Sequence, residues 1–292
     1  MGSRPSFSAL LLMLFLPAEL TYAGFERRNL GARSLGLGGA LISFGEDPWS
    51  FYSNPARALK SRELGLFFVP SLYGLPEVKS AGASYLDSFA GIDVSCAVQT
   101  FGLEVYRESV VSAGASMPVF DFLFLGTNMN YNHLFIENYG SDASFSFDVG
   151  VKMFATDNFC LGISSTNLNS ASLTNSNDRL PQTLAAGMAY VSESVNLAFE
   201  YFKELGYPSA LRIAAEYSPL KPFTLRTGTT SGTNSFNAGL TVRFLGFEVE
   251  YGAMFHSVLG MTQSFGISLI FSGVGGTEYE GIRRYRESLR RR

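Results

Sequence analysis

Along most of the chain, apolar and polar side chains alternate one by one. The clearest run is Ala143 to Met153. Ala143, Phe145, Phe147, Val149, Val151 and Met153 take one phase, and Ser144, Ser146, Asp148, Gly150 and Lys152 take the other. A helix mixes these two sets on its surface, whereas a strand separates them onto opposite faces. The same period recurs over Ile92 to Thr100, Leu211 to Tyr217, Phe236 to Phe244 and Phe247 to Phe255. Taken together such runs predict about fourteen strands between Arg62 and Phe271, at 62–70, 77–87, 90–101, 107–117, 119–131, 142–154, 158–166, 181–191, 194–203, 209–217, 222–230, 235–244, 247–255 and 262–271. Many are longer than the usual five or six residues of a globular sheet. About nine to eleven tilted residues suffice to cross a bilayer.

The connections carry a second period. Longer ones are expected after odd strands, at 71–76, 132–141, 167–180 and 204–208, and tight ones after even strands, around 87–89, 118, 156–157, 192–193, 218–221 and 245–246. An even strand count with alternating long and short connections is the layout of an antiparallel transmembrane β-barrel. The polar phases collect Asp93, Asp148, Glu200, Glu216, Glu248 and Glu250 against Lys152, Arg212, Arg226 and Arg243. Acids and bases on neighbouring strands suit a lumen with internal ion pairs, while the apolar phases suit lipid. The expected fold is therefore all-β, a barrel of about fourteen strands over 62–271.

Composition agrees. Of 292 residues 46% are hydrophobic and 14% aromatic, with only 16% charged and a net charge of −3. The aromatic content excludes a disordered chain, and the charge excludes a basic nucleic-acid footprint. Past the N-terminus no run of about eighteen apolar residues occurs, so a helical membrane protein is excluded as well. Arg4, the apolar run Ala9 to Leu16, Pro17 and the small residue Ala23 before Gly24 have the build of a secretory signal peptide at 1–23. Cys96 and Cys160 fall in opposite strand phases and are expected to point to opposite faces without a disulfide.

The stretch between signal peptide and first strand reads Gly31-Ala-Arg-Ser-Leu-Gly-Leu-Gly-Gly-Ala40, then Asp47-Pro-Trp-Ser-Phe-Tyr-Ser-Asn-Pro-Ala56. Gly36 and Gly38 are not followed by a third glycine at dinucleotide-binding spacing, and no strand precedes them. Gly36, Gly38, Gly39, Asp47, Asn54, Pro55 and Ala56 instead resemble the N-terminal signature of the PorV/PorQ outer-membrane proteins, relatives of the FadL hydrophobic-compound transporters. His256, Leu259, Gly260 and Thr262 resemble that family's late outer-loop motif, with Ser257 and Gln263 departing from it. The resemblance implies that residues 24–61 form a hatch inside the barrel, with Asn54 capping a short helix opened by Pro55. It also implies an outer-membrane location, with both barrel ends periplasmic, and a single-chain barrel.

Catalytic chemistry is not expected. No nucleophile elbow, phosphate loop or metal-ligand spacing occurs, and no cofactor or metal is called for. His133 and His256 are expected in or beside outer loops. Two functions follow from the resemblance. The first is an accessory of protein export of the type IX kind, contacting secretion components or cargo, for which Leu134, Phe135, Ile136 and Tyr139 offer an apolar loop surface. The alternative is a FadL-like passive transporter of apolar small molecules, with Phe122 and Phe124 as an inner apolar patch. Residues 272–292 form a basic tail, in which Tyr279, Ile282, Tyr285 and Leu289 keep roughly helical spacing.

Overall fold

The computed structural model describes residues 24–25, 31–58, 61–176 and 178–272. The signal peptide expected at 1–23, and the expected basic tail past Ser272, lie outside the described residues. A short helix α1 (Gly31–Gly36) and a 3-10 turn (Ser50–Tyr52) precede fourteen strands. These are β1 (Arg62–Val69), β2 (Lys79–Phe89), β3 (Ile92–Gly102), β4 (Tyr106–Phe120), β5 (Leu123–Ile136), β6 (Gly140–Phe154) and β7 (Phe159–Thr166), followed by β8 (Thr183–Val191), β9 (Val195–Glu204), β10 (Ala210–Leu220), β11 (Phe223–Thr230), β12 (Ser235–Phe244), β13 (Phe247–His256) and β14 (Gly260–Ser272). Each pairs antiparallel with its neighbours in sequence, and β14 returns to β1, closing the barrel. Closure leaves no open sheet edge, a requirement for crossing lipid.

Burial is inverted relative to a water-soluble sheet. On β3 the side chains of Val94 and Val98 are 39% and 50% exposed, whereas Asp93 and Ser95 on the other phase are 6% and 9% exposed. The same holds around the barrel, where Phe145, Ile213, Leu225 and Phe265 face outward and Asp148, Arg212, Arg226 and Ser264 face in. Leaving a Phe or Leu in water forgoes roughly 1.5–3 kcal/mol of burial, so this outer face is built for hydrocarbon.

Connections at the rim that holds Arg62 and Ser272, the near rim, are short: 90–91, 121–122, 155–158, 192–194, 221–222 and 245–246. Two are two-residue hairpin turns with positive φ at both positions, Ala90-Gly91 and Leu245-Gly246, the backbone twist that flanking strands favour. The opposite, far rim carries 70–78, 103–105, 137–139, 167–182, 205–209, 231–234 and 257–259.

Several boundaries differ from the sequence expectation. Residues 132–136 are not loop but the end of β5, so Leu134 is buried with Leu173 and Leu180 while Phe135 faces outward. Of the apolar loop surface expected there, only Tyr139, 89% exposed, lies in a connection. Pro118 is inside β4 rather than at the turn, which falls at Asp121 and Phe122. Phe122 is consequently exposed and stacks on Phe120, while Phe124 alone faces inward, edge-on to Phe154. At 132–136 polar His133 takes the outward phase and apolar Leu134 the inward one, a break in the alternation that register with β6 carries the strand across.

Candidate functional site

The lumen is filled by residues 31–58, nearly all of them buried. The wall makes room for this segment with glycines in the inward phase. A Cβ on Gly126 would meet the Pro55 backbone, on Gly162 the Ile42 carbonyl, on Gly228 Leu37 and on Gly252 the Ala32 carbonyl, each closer than 3.0 Å. Gly126 pairs with Gly150, and Gly239 with Gly252, across the ladder. A band of small positions therefore runs around the inside, and the segment's backbone lies against the wall's backbone. This band was visible in the sequence as glycine recurring in the polar phase, a signal the charges overshadowed.

Directed bonds then fix the segment. Its own carbonyls accept from wall side chains: Leu35 from Asn237 at 2.7 Å, Phe51 from Asn128 at 2.8 Å, Ser53 from Ser164 at 2.8 Å and Gly38 from Thr230 at 3.1 Å. The Arg57 amide donates to the Ser116 hydroxyl, which in turn donates to the Arg57 carbonyl. Buried irregular backbone needs such partners, because an unpaired amide or carbonyl costs free energy comparable to a lost hydrogen bond.

Charge is paired across the same boundary. The Glu216 carboxylate accepts from Arg33 Nε at 2.9 Å, Arg33 Nη2 at 3.0 Å, Arg226 Nε at 2.6 Å and Asn196 Nδ2 at 3.1 Å. Arg33 also reaches Asp47 at 3.3 Å, and Arg226 reaches Glu250 at 3.5 Å. Lys152 from β6 pairs with Glu46 of the segment and donates to the Gly45 carbonyl. Arg212 pairs with Glu200 at 2.9 Å, with its guanidinium 3.7 Å from the Phe202 ring, and Glu200 accepts the Ile42 amide at 3.2 Å. Arg243 and Glu248 pair at 2.7 Å within the wall. Asp148 accepts from the Asn130 side chain and the Asn167 amide, and Asp93 is bonded by Ser88. All ten charged residues singled out in the strands face inward; Arg33 and Glu46, their partners from the segment, were not foreseen as such, and Arg57 pairs with Glu46 within the segment.

The residues of the N-terminal motif are absorbed by this packing. Gly38 and Gly39 carry positive φ, and Gly36 abuts Gly239. Asp47 accepts the Trp49 amide at 2.9 Å. Asn54 does not cap a helix, and among the described residues none follows Pro55. Its Oδ1 accepts the Ala56 amide, and its Nδ2 bridges the Ile42 and Val151 carbonyls at 2.7 and 3.0 Å. Ala56 is fully buried.

The second motif lies elsewhere, at the far rim. His256 Nδ1 accepts from the Val258 and Leu259 amides, Thr262 accepts the Tyr73 amide at 2.8 Å, and Gly260 abuts the Tyr73 carbonyl. It ties the 257–259 turn to the 70–78 connection. His133 sits on β5 beside Tyr131 rather than in a loop.

Between the inner segment and the far rim there is a cavity of about 130 Å³. Trp49, Tyr52 and Ser53 border it from the segment, Gln99, Phe101, Val110, Asn130 and Asn132 from β3 to β5, and Leu180 and Pro181 from the connection 167–182. The Trp49 and Tyr52 rings lie nearly parallel, 6.3 Å apart, and burial pushes the Tyr52 hydroxyl above its ordinary pKa, keeping it neutral. The 167–182 connection is laid along the upper part of β6, where β7 has already ended. The Asp142 carboxylate accepts the amides of Thr174, Asn175 and Ser176 at 2.9–3.0 Å, and Asn169 bonds the Phe145 and Phe147 backbone.

A closed fourteen-stranded barrel, apolar outside and filled by its own N-terminal segment, is the architecture of a plugged outer-membrane-type β-barrel. No family model and no curated protein matches the chain. Solved structures do. The Ralstonia pickettii toluene transporter TbuX superposes with a TM-score of 0.62 at 13% identity, covering 85% of this chain and 98% of that one. The Pseudomonas putida toluene transporter TodX gives 0.58 at 14% identity, covering 84% and 98%, and a Pseudomonas aeruginosa FadL homologue gives 0.57 at 12%, covering 84% and 99%. At these identities the likeness establishes a shared fold.

Proposed function

We propose that the chain is an outer-membrane barrel that lets apolar small molecules diffuse passively across that membrane. In this reading the near rim faces the periplasm, the far rim faces outward, and the segment 31–58 acts as a hatch. The observation that carries it is the cavity with an aromatic floor, open to no wide aqueous lumen because the hatch packs beneath it. Ligand sites are typically concave and mostly apolar, with a few placed polar groups, and this one lies where a molecule arriving from the far rim first meets the hatch. The FadL-type fold supports the same reading, since the toluene transporters TbuX and TodX share it. The barrel is proposed to act as a monomer in lipid, without a cofactor.

The PorV/PorQ resemblance supports a common plug more than a secretion partner. Its N-terminal residues are used in packing against the lumen wall, and the apolar loop surface that would receive cargo is reduced to Tyr139. The test is uptake of a labelled hydrophobic compound by cells lacking their own transporter and expressing this chain. Accelerated entry, lost when Trp49 is replaced by a charged residue, is the expected result. Uptake equal to that of the empty vector, together with stoichiometric co-purification of a secretion barrel, would replace it with the export reading.

A further inference from the structure

The cavity is bordered by polar as well as apolar side chains, Glu108, Asp148, Asn130, Asn132 and Gln99 among them, and two of its amides stand apart from the rest. By strand register Gln99 on β3 stands opposite Val110 on β4, and Val110 stands opposite Asn132 on β5. Two amide side chains therefore flank one apolar position, about 10 Å apart across two strand spacings. Among the described residues the Gln99 side chain makes no hydrogen bond. Asn132 donates to the Ser146 hydroxyl at 3.0 Å and has no donor to its own Oδ1. Neighbouring amides are engaged with protein: Asn130 bridges Ser112 and Asp148, and Asn167 bridges the Ala171 and Leu180 carbonyls. Unused amide groups thus border the same cavity as the Trp49 and Tyr52 rings.

We propose that this cavity takes a single-ring molecule bearing one hydroxyl group, of the benzyl alcohol class, in preference to the bare hydrocarbon. The proposal rests on the reading of the cavity as the entry site. An apolar cavity of about 150 Å³ accepts a benzene ring, so the 130 Å³ here is of the right order for one ring. The ring lies against Trp49 and Tyr52, and the hydroxyl donates to Asn132 Oδ1 or Gln99 Oε1 while accepting from the Gln99 amide. A bare hydrocarbon would displace water from Gln99 and Asn132 without replacing its hydrogen bonds. Leaving such groups desolvated and unpaired costs more than an added hydrogen bond returns.

Trp49 is the single tryptophan of the chain and borders the cavity, so its fluorescence reports occupancy directly. The experiment titrates the full chain in lipid nanodiscs with benzyl alcohol and with toluene, compared at equal free aqueous concentration. Benzyl alcohol is expected to half-saturate the Trp49 signal at about tenfold lower concentration, equivalent to about 1.4 kcal/mol. Gln99→Leu and Asn132→Leu, each checked for heat-modifiable migration as a sign of folding, are expected to bring the two ligands level. Toluene binding as well as benzyl alcohol in the unmodified protein would overturn the hydroxyl preference and leave the transport reading standing. If neither ligand moves Trp49 at saturation, the cavity is no entry site and both readings fall.

Discussion

Arg33→Met tests how firmly the inner segment is held. Arg33 belongs to the segment, and its guanidinium makes two bonds to Glu216 on β10 at 2.9 and 3.0 Å. Arg226 keeps Glu216 partnered from within the wall, so the substitution loosens the segment without orphaning a wall charge. Breaking a buried pair costs about 3–5 kcal/mol when it strands a charge. Here the residual Arg226 partner brings the expectation to about 2–3 kcal/mol, the value of charge-assisted bonds. That raises the displaced population of the segment by about one and a half to two decades. In planar bilayers the variant should show conductance openings that the unmodified chain lacks, while heat-modifiable migration persists. Glu216→Ala removes the shorter ion pairs of both Arg33 and Arg226, leaving them Asp47 and Glu250 at 3.3 and 3.5 Å, and should lower the barrel's own thermal transition as well. Unchanged conductance in Arg33→Met would refute the claim that this pair seats the segment.

Gly228→Val and Gly162→Val place side chains against Leu37 and Ile42. Each should cost about 1–3 kcal/mol by overpacking and expose the segment to added protease, whereas Gly187→Ala, with its nearest neighbour at 3.1 Å, should be milder. Ile213→Arg puts a charge on the outer face, where Ile213 is 54% exposed; a loss of about 2–4 kcal/mol is expected in refolding into vesicles, and retention of full stability would argue against lipid there. Asp142→Ala removes the acceptor of three amides in the 167–182 connection and should speed proteolysis within it while leaving the barrel's thermal transition in place. Cys96 is exposed on the outside and Cys160 is buried in the lumen, so no disulfide joins them and intact mass should be the same with and without reductant.

Strand number, closure and the direction of every inward charge were legible from period-two alternation, because register fixes both faces at once. Boundaries were less so at 132–136 and 118–122, where pairing with a neighbour, not local composition, sets where a strand stops. The lumenal charges could be named singly, but their partners could not. Glu46 and Arg33 lie in a segment with no regular period, and its path is dictated by glycines on eight or more distant strands. The cavity was out of reach altogether: Gln99 and Asn132 are unremarkable residues until the register sets them on either side of Val110.

The glycine band also has a consequence for assembly. Ala32 rests on Gly252 and near Gly266, at the last strands, and Arg33 meets Glu216 across 183 positions of sequence. The first part of the barrel to leave the ribosome therefore finds its seat only when the final hairpins exist. Contacts of such long range are slow to form. Docking of the segment and zipping of β14 onto β1 are thus one late event, and the half-closed barrel must hold its N-terminal segment inside before the seam shuts. Substitutions in the band should then delay insertion into the membrane even where the finished barrel tolerates them.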